Sequence, residues 1–268
     1  MNRIYRSIWN DKTGTFVAAS ENAKSGGRKS SPGASAVAGV RFTLKGLALS
    51  LMLAFGSNIH AAPSGGAVSA GSASIAGGPG KTTITQASQN VAINWQSFSI
   101  GKTEAVQFVQ PNSSSVALNR VLGSDPSNIL GSLSANGKVF LVNPNGILFG
   151  QGAQVNVGAL VASTLSITDA DFMAGRYNFS GASNATILNQ GSINAEGGYV
   201  ALLGASVDNQ GVISAKLGTV TLAAGSAMTL DVAGDGLLNV AVNQGAVNAL
   251  AQNGGLIQAD GGQVLLTA

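Results

Sequence analysis

Asn189-Gln190-Gly191-Ser192-Ile193-Asn194-Ala195-Glu196-Gly197-Gly198-Tyr199-Val200-Ala201-Leu202 decides the fold, because the chain writes this pattern more than once. Twenty residues on stands Asn209-Gln210-Gly211-Val212-Ile213-Ser214-Ala215-Lys216-Leu217-Gly218-Thr219-Val220-Thr221-Leu222. A third copy runs from Asn253-Gly254-Gly255-Leu256-Ile257 to Val264-Leu265-Leu266, and a partial copy begins at Asn243-Gln244-Gly245-Ala246-Val247. The shared pattern is Asn-x-Gly-x-Ile-x-Ala, two residues, then x-Val-x-Leu. Each copy holds two short stretches alternating at period two, the spacing of strands with one buried face. Ile193 and Ala195 face one way, and Val200 and Leu202 do so again after the Gly197-Gly198 corner. One coil cannot bury that face alone, but stacked coils can. Gly permits corners with φ > 0, and Asn at a repeated position can hydrogen-bond from coil to coil. The predicted fold is all-β: a right-handed parallel β-helix, a single-stranded solenoid with coils of about 20 residues and an N-terminal β cap. A leucine-rich repeat shares the period but needs denser leucine and helical segments. A β-sandwich is the main competing architecture.

Upstream the same grammar holds in looser form. Residues 63–80 are rich in Gly and Ser and read as a soft start. Val91, Ile93 and Trp95 alternate, as do Val106 and Phe108. Lys138-Val139-Phe140-Leu141-Val142 is a continuous apolar run bounded by Asn136-Gly137 and Asn143-Pro144, which predicts a strand buried on both faces. No long helical period occurs after Ala62. Gly77-Gly78-Pro79-Gly80-Lys81-Thr82 is like a phosphate loop only superficially, since it lacks the four-residue spacing between glycines.

Charge divides unevenly along the chain. Before Ala62 stand Arg3, Arg6, Lys12, Lys24, Arg28, Lys29, Arg41 and Lys45 against Asp11 and Glu21, within an overall net charge of +3. From Ala62 onward acids outnumber bases, so the body lacks the clustered basic side chains that nucleic acid requires. The only histidine is His60 and there is no cysteine. A Ser-His-Asp triad, a Cys-His pair and a His-ligated zinc site are therefore impossible in the body. A domain of this size can dispense with disulfides, and their absence suits a chain that must cross a membrane unfolded.

Residues 40–61 read as a Sec-type signal. Arg41 and Lys45 form the positive flank, the run Gly46 to Phe55 the apolar core, and Ile59-His60-Ala61-Ala62 the small-residue end. The apolar run is about ten residues, short of the roughly 20 that span a membrane. Pro63 disfavours cleavage just before it, so the expected cut falls between Ala61 and Ala62. Some forty residues precede this core. Among them Asn2, Tyr5, Arg6, Trp9, Asn10, Gly14, Phe16, Val17, Ala18 and Glu21 stand in an arrangement that resembles the extended signal peptide region of large Gram-negative surface proteins, the autotransporters and two-partner-secretion exoproteins. The resemblance implies slowed export across the inner membrane by the Sec machinery. The expected organisation is an extended signal peptide over 1–61 (extension 1–30, signal 40–61) and a β-helix domain over 62–268.

Three blocks carry a second resemblance. They are Trp95-Gln96-Ser97-Phe98-Ser99-Ile100-Gly101, the stretch Phe108 to Val121 with Asn119-Arg120, and Ala135-Asn136-Gly137-Lys138-Val139-Phe140-Leu141-Val142-Asn143-Pro144-Asn145-Gly146-Ile147-Leu148-Phe149-Gly150. Together they resemble the haemagglutination-activity, or two-partner-secretion, domain that opens filamentous haemagglutinin-like exoproteins. The resemblance covers essentially all of 62–268. A second block of that family, Asn-Pro-Asn-Leu, does not occur in this sequence. The resemblance implies an adhesin- or haemagglutinin-type exoprotein, secreted via the periplasm to the surface of a Gram-negative bacterium. It implies an outer-membrane β-barrel transporter with periplasmic POTRA domains as partner, signal peptidase as processing enzyme, and host-cell surface or glycans as eventual targets. It assigns recognition and secretion-competent folding to Asn119, Arg120, Asn143, Pro144, Asn145, Gly146 and Ile147. The Asn143-Pro144-Asn145-Gly146 stretch also reads as a β-turn, with Pro presetting φ and Asn tolerating the left-handed region.

No enzyme, cofactor or metal is expected. Asp169 with Asp171, and Asp231 with Asp235, are spaced as paired carboxylates in some β-helical polysaccharide enzymes, yet they read better as solvated turn residues. Gly234-Asp235-Gly236 lacks the tandem repeat of a calcium-binding β-roll. The alternatives are a small secreted β-helical carbohydrate-active enzyme, or the front end of a contact-dependent toxin or haem-acquisition exoprotein. The last residues, Val264 to Ala268, fall inside a repeat, so the expectation is a fragment of a longer protein.

Overall fold

The computed structural model describes residues 5–10, 15–20, 62–195, 197–232 and 238–268. Contacts divide the chain into Met1–Ser57 and Asn58–Ala268. In the first unit Tyr5–Asn10 pairs antiparallel with Thr15–Ser20, Trp9 opposite Phe16. The signal core and Ala61 lie outside the described residues.

The second unit is a right-handed parallel β-helix, the hand that parallel crossovers take almost without exception. Its coils lay strands on three sheets in turn. The first sheet runs from Lys81–Gln86 through Ala105–Val109, Ser132–Ala135, Gln154–Asn156, Ser192–Asn194 and Val212–Ser214 to Leu256–Gln258. The second runs from Asn90–Trp95 through Val116–Val121, Lys138–Val142, Ala159–Ser163, Val200–Gly204 and Thr219–Ala224 to Gln263–Thr267. The third holds Ser127–Ile129, Ile147–Phe149, Thr186–Asn189, Ser206–Asn209 and Leu250–Asn253. The cap is two strands, Ala67–Ala70 and Ala73–Gly78, which pair antiparallel onto the first coil and turn the chain into parallel stacking. Gly77 to Thr82, superficially a phosphate loop, is the hairpin turn of that cap, with Gly80 at φ +71.

Period-two spacing becomes columns. Val106, Leu133, Val155, Ile193, Ile213 and Ile257 stack in register inside the first sheet. Val91, Ala117, Val139, Leu160, Val200 and Val220 do so inside the second. These columns meet in one continuous interior, where burial of each Val, Leu or Ile contributes about 1.5–3 kcal/mol. The run Lys138–Val142 is buried on both faces as predicted. Val139 and Leu141 belong to the interior, while Phe140 and Val142 belong to a second apolar cluster outside the coil. That outer cluster is covered by a short helix, Asp169–Met173, and by a three-stranded antiparallel sheet of Tyr177–Ser180, Ala227–Val232 and Leu238–Gln244.

The predicted Asn stacking is present. Asn189 donates to Asn209 at 2.7 Å, and Asn209 donates to Asn253 at 2.6 Å. Two expectations need correction. The coil length of about 20 holds between Ile193 and Ile213, but excursions lengthen the next spacing, so that Ile213 is opposite Ile257. The partial copy at Asn243 is no coil. Asn243 and Gln244 end an outlying strand, and Val247 beyond them is 85% exposed. Local sequence could not reveal this, because Asn-x-Gly suits any tight turn.

The Gly-Gly corner also divides its labour. Gly197 and Gly261 take φ of +73° and +75°, whereas the position between them in the stack is Leu217, held at φ +58° with 73% of its surface exposed. The second glycine of each pair is needed for space, as argued in the Discussion. Among the described residues no helix is long and apolar enough to cross a membrane.

Candidate functional site

The two blocks assigned to secretion come together in adjacent coils. Asn119 lies opposite Leu141 and Arg120 opposite Val142, one residue before Asn143. They do not form one surface, because neighbours on a strand point to opposite faces.

Asn119 points inward. It occupies a column whose other members include Ile93, Leu141, Ala162 and Leu202. It has no exposed surface. Its Oδ1 accepts from Trp95 Nε1 at 3.0 Å, and its Nδ2 donates to the carbonyls of Ala117 and Phe140 at 3.3 Å each. A buried amide costs free energy unless paired, and here the indole of the Trp95–Gly101 block is its partner. Trp95 packs edge-on against Phe98 of the same block.

Arg120 points outward. Its guanidinium donates to Asn94 Oδ1 at 2.9 Å, and to the Ile167 carbonyl and Asp169 Oδ1 at 2.7 Å each. It thus fastens the helix Asp169–Met173 to two strands of the second sheet. Thr168 caps that helix by accepting from the Asp171 N–H, and Asp171 pairs with Arg176 at 2.8 Å. Asp169 and Asp171 are therefore ion-paired at a helix start rather than facing each other across a cleft, and Asp235 lies outside the described residues. Among the described residues no group of three or more His, Cys, Asp and Glu side chains converges.

Partial burial would raise the pKa of Asp169. Hydrogen bonds from Arg120 and Ser69 and the charge of Arg120 outweigh that and hold it below the usual carboxylate value. A depressed folded pKa contributes stability above the unfolded value near 3.9, lost as pH falls through it toward the folded value. Both side chains are partly exposed, so the contribution is about 1 kcal/mol or less. Asp169→Asn is expected to flatten the acid limb of stability against pH by that amount, read from denaturant midpoints between pH 5 and 2.

The turn Asn143 to Ile147 joins the second sheet to the third. The Gly146 N–H donates to the Asn143 carbonyl at 3.1 Å, closing a β-turn, with Gly146 at φ +111°. Asn143 is fully buried. Its Nδ2 donates to the Asp125 carbonyl and to Ser127 Oγ, both at 3.0 Å. Its Oδ1 accepts from the Asn145 N–H at 2.9 Å and from Asn145 Nδ2 at 3.1 Å. Asn145 Nδ2 also donates to the Gly123 carbonyl at 2.8 Å. Pro144 offers its carbonyl to Ser183 Oγ at 2.5 Å, and Ile147 sits between Ser127 and Ile187 in the third sheet. The turn therefore ties three successive coils. Ala62, which follows the expected cleavage point, lies beside Ser64, Ser97, Ser99 and Asp125 along a polar groove next to these contacts.

Other members of this polar framework carry little signal in the sequence. Gln110 Nε2 donates to Gln86 Oε1 at 3.0 Å, both side chains buried at the opposite corner of the early coils. Asn136 exchanges two hydrogen bonds of 2.8 Å with the Gln110 backbone. Only the recurrence of an amide side chain at or just after the end of the first three first-sheet strands, Gln86, Gln110 and Asn136, could have pointed to them.

A sequence model described as TPS secretion domain matches residues 7–268. The heme/hemopexin-binding protein of Haemophilus influenzae strain Rd is 34% identical over 217 residues, covering 77% of this chain and 23% of that protein. A second heme/hemopexin-binding protein from Haemophilus influenzae is 46% identical over 99 residues, covering 37% of this chain and 11% of the relative. The chain thus spans under a quarter of the length of these relatives. The crystal structure of the HMW1 secretion domain from Haemophilus influenzae superposes with a TM-score of 0.70 at 34% identity, over 76% of this chain and 57% of that one.

Proposed function

The chain belongs to the TPS secretion domain family, and from that premise we propose that residues 62–268 are the export address of a large exoprotein, read by an outer-membrane β-barrel transporter through its periplasmic POTRA domains. Residues 1–61 serve as the leader, handled by the Sec machinery and cut between Ala61 and Ala62. The exoprotein reaches the surface of a Gram-negative cell or the medium. The observation that carries this reading is the family match over residues 7–268.

Asn119, Arg120 and Asn143 to Ile147 support export through folding. Asn119 and Asn143 are fully buried in the coil, so in the folded domain neither amide is available to a transporter. The transporter meets them in an extended chain, where backbone edges can add to a sheet. Once the chain emerges, the same residues fix the register of the first coils. The domain works by binding and folding rather than catalysis, with Asp169 and Asp171 held in ion pairs.

For the cargo class, the names of the two heme/hemopexin-binding relatives favour a haem-acquisition exoprotein over an adhesin. Host-cell surface or glycan binding remains the property of an adhesin cargo.

The test fuses the full chain ahead of a reporter and expresses it with and without a two-partner-secretion transporter. Reporter in the medium only when the transporter is present is the expected result. Equal release in both cultures would overturn the reading.

A further inference from the structure

In the coil running from Val200–Gly204 to Ser206–Asn209, the turn between the second and third sheets is one residue, Ala205. In the coils on either side the same turn opens into an excursion. Residues 164–185 leave after Ala159–Ser163, and residues 225–232 and 238–249 leave after Thr219–Ala224. The two excursions meet each other. Tyr177–Ser180 pairs antiparallel with Ala227–Val232, which pairs in turn with Leu238–Gln244. Phe140, Val161, Ala201 and Ala223 come from four different coils and join Met228, Leu230 and Leu238 from the excursion in one buried cluster.

Two physical facts order this assembly. Tyr177 finds Leu230 and Ser180 finds Ala227 across about fifty residues of chain, whereas neighbouring coils meet across shorter stretches, from 20 residues for Ile193 with Ile213 to 44 for Ile213 with Ile257. Closing the longer loop costs more chain entropy and is slower. The apolar face that receives the sheet also does not exist until several strands of the second sheet have stacked side by side.

We infer that the three-stranded outer sheet is a latch: the coils stack first, and the hairpin of Ala227–Val232 and Leu238–Gln244 closes over their outer face last. Open, the coils can peel apart one at a time, because each touches only its neighbours. Closed, the sheet bonds the coil ending at Ser163 to the coil ending at Ala224 across the one between them, and they must open together. For a chain threading a pore, this closing step opposes retreat. The inference concerns this chain's own folding and stands whether or not the proposed transporter is the partner.

A kinetic measurement on the full chain tests it. Met228 and Leu230 are buried under the sheet, at 0% and 3% exposure. Met228→Ala and Leu230→Ala are expected to leave the refolding rate within about twofold and to speed unfolding about tenfold or more, as for contacts absent from the transition state. Leu202→Ala, in the interior column, is expected to slow refolding. Refolding slowed by the Met228 and Leu230 changes in proportion to the stability they remove would overturn the latch. A second variant joins Asn178→Cys to Thr229→Cys. These partners lie opposite each other across the latch, with their side chains hydrogen-bonded at 3.1 Å, in a chain that has no cysteine of its own. Oxidation is expected to slow unfolding about tenfold or more, reversibly on reduction. An oxidised pair that unfolds as fast as the reduced one would equally sink the inference.

Discussion

Gly198→Ala is expected to abolish the folded solenoid, whereas Gly197→Ala next to it costs only about 1–2 kcal/mol. At Gly197 a Cβ would enter open space, and the only penalty is φ of +73°. Leu217 occupies the same corner one coil later at φ +58°, which proves that a side chain can be carried there. At Gly198 the backbone angle is ordinary, but a Cβ would lie 1.7 Å from the Gly158 carbonyl oxygen. The column continues through the later coils. A Cβ on Gly218 would lie 1.5 Å from the Gly198 oxygen, and one on Gly262 would lie 1.7 Å from the Gly218 oxygen. Every clashing atom is main chain, so no rotamer change relieves it. The coils would have to separate by an ångström or more, breaking the ladder on both sides of the corner. Side-chain overpacking ordinarily costs about 1–3 kcal/mol. Here main chain must part from main chain, which puts the expected loss above about 5 kcal/mol, in the exceptional class and equal to the whole stability of a marginal domain. Denaturant titrations of the full chain check the pair. Similar midpoints for Gly197→Ala and Gly198→Ala would contradict the close-approach argument.

Asn143→Ala is expected to lower stability by about 3 kcal/mol and to cut transporter-dependent export severely, with Asn145→Ala intermediate in both. Removing the Asn143 amide strips partners from Ser127 Oγ, which is fully buried, and from the Asp125 carbonyl, and frees the Asn145 N–H. Each buried polar group left unpaired costs about 1–3 kcal/mol. Asn145 is exposed and makes fewer of these bonds, which sets the order of the two variants. Secretion of the reporter fusion and unfolding midpoints should fall together across the pair, because the proposal places the effect in folding. Export of Asn143→Ala at the unsubstituted level would remove the turn from the secretion machinery. Lost export with an unchanged midpoint would move its role from folding to recognition of the extended chain.

How far the architecture could be read in one dimension depends on how local its cause is. Alternation at period two and the return of Asn-x-Gly after twenty residues arise from contacts between adjacent coils, so they leave a repeat that can be counted. The burial of Lys138–Val142 on both sides was likewise written in its own five residues. Asn119 and Arg120 read as a pair in the sequence, and only their register shows that one fills the core and the other clasps a helix. The partial copy at Asn243 is the converse case: its residues satisfy the pattern, yet Ala227–Val232 offers that segment a better partner than the next coil does. The outer sheet joins coils that are not neighbours. The Gln86–Gln110 pair and the need for a glycine at 198, which meets Gly158 forty residues back, are adjacent-coil contacts that fall outside the twenty-residue repeat. Interactions of that kind follow no fixed spacing along the chain, so they emerge only when the coils are stacked and the distances between them can be measured.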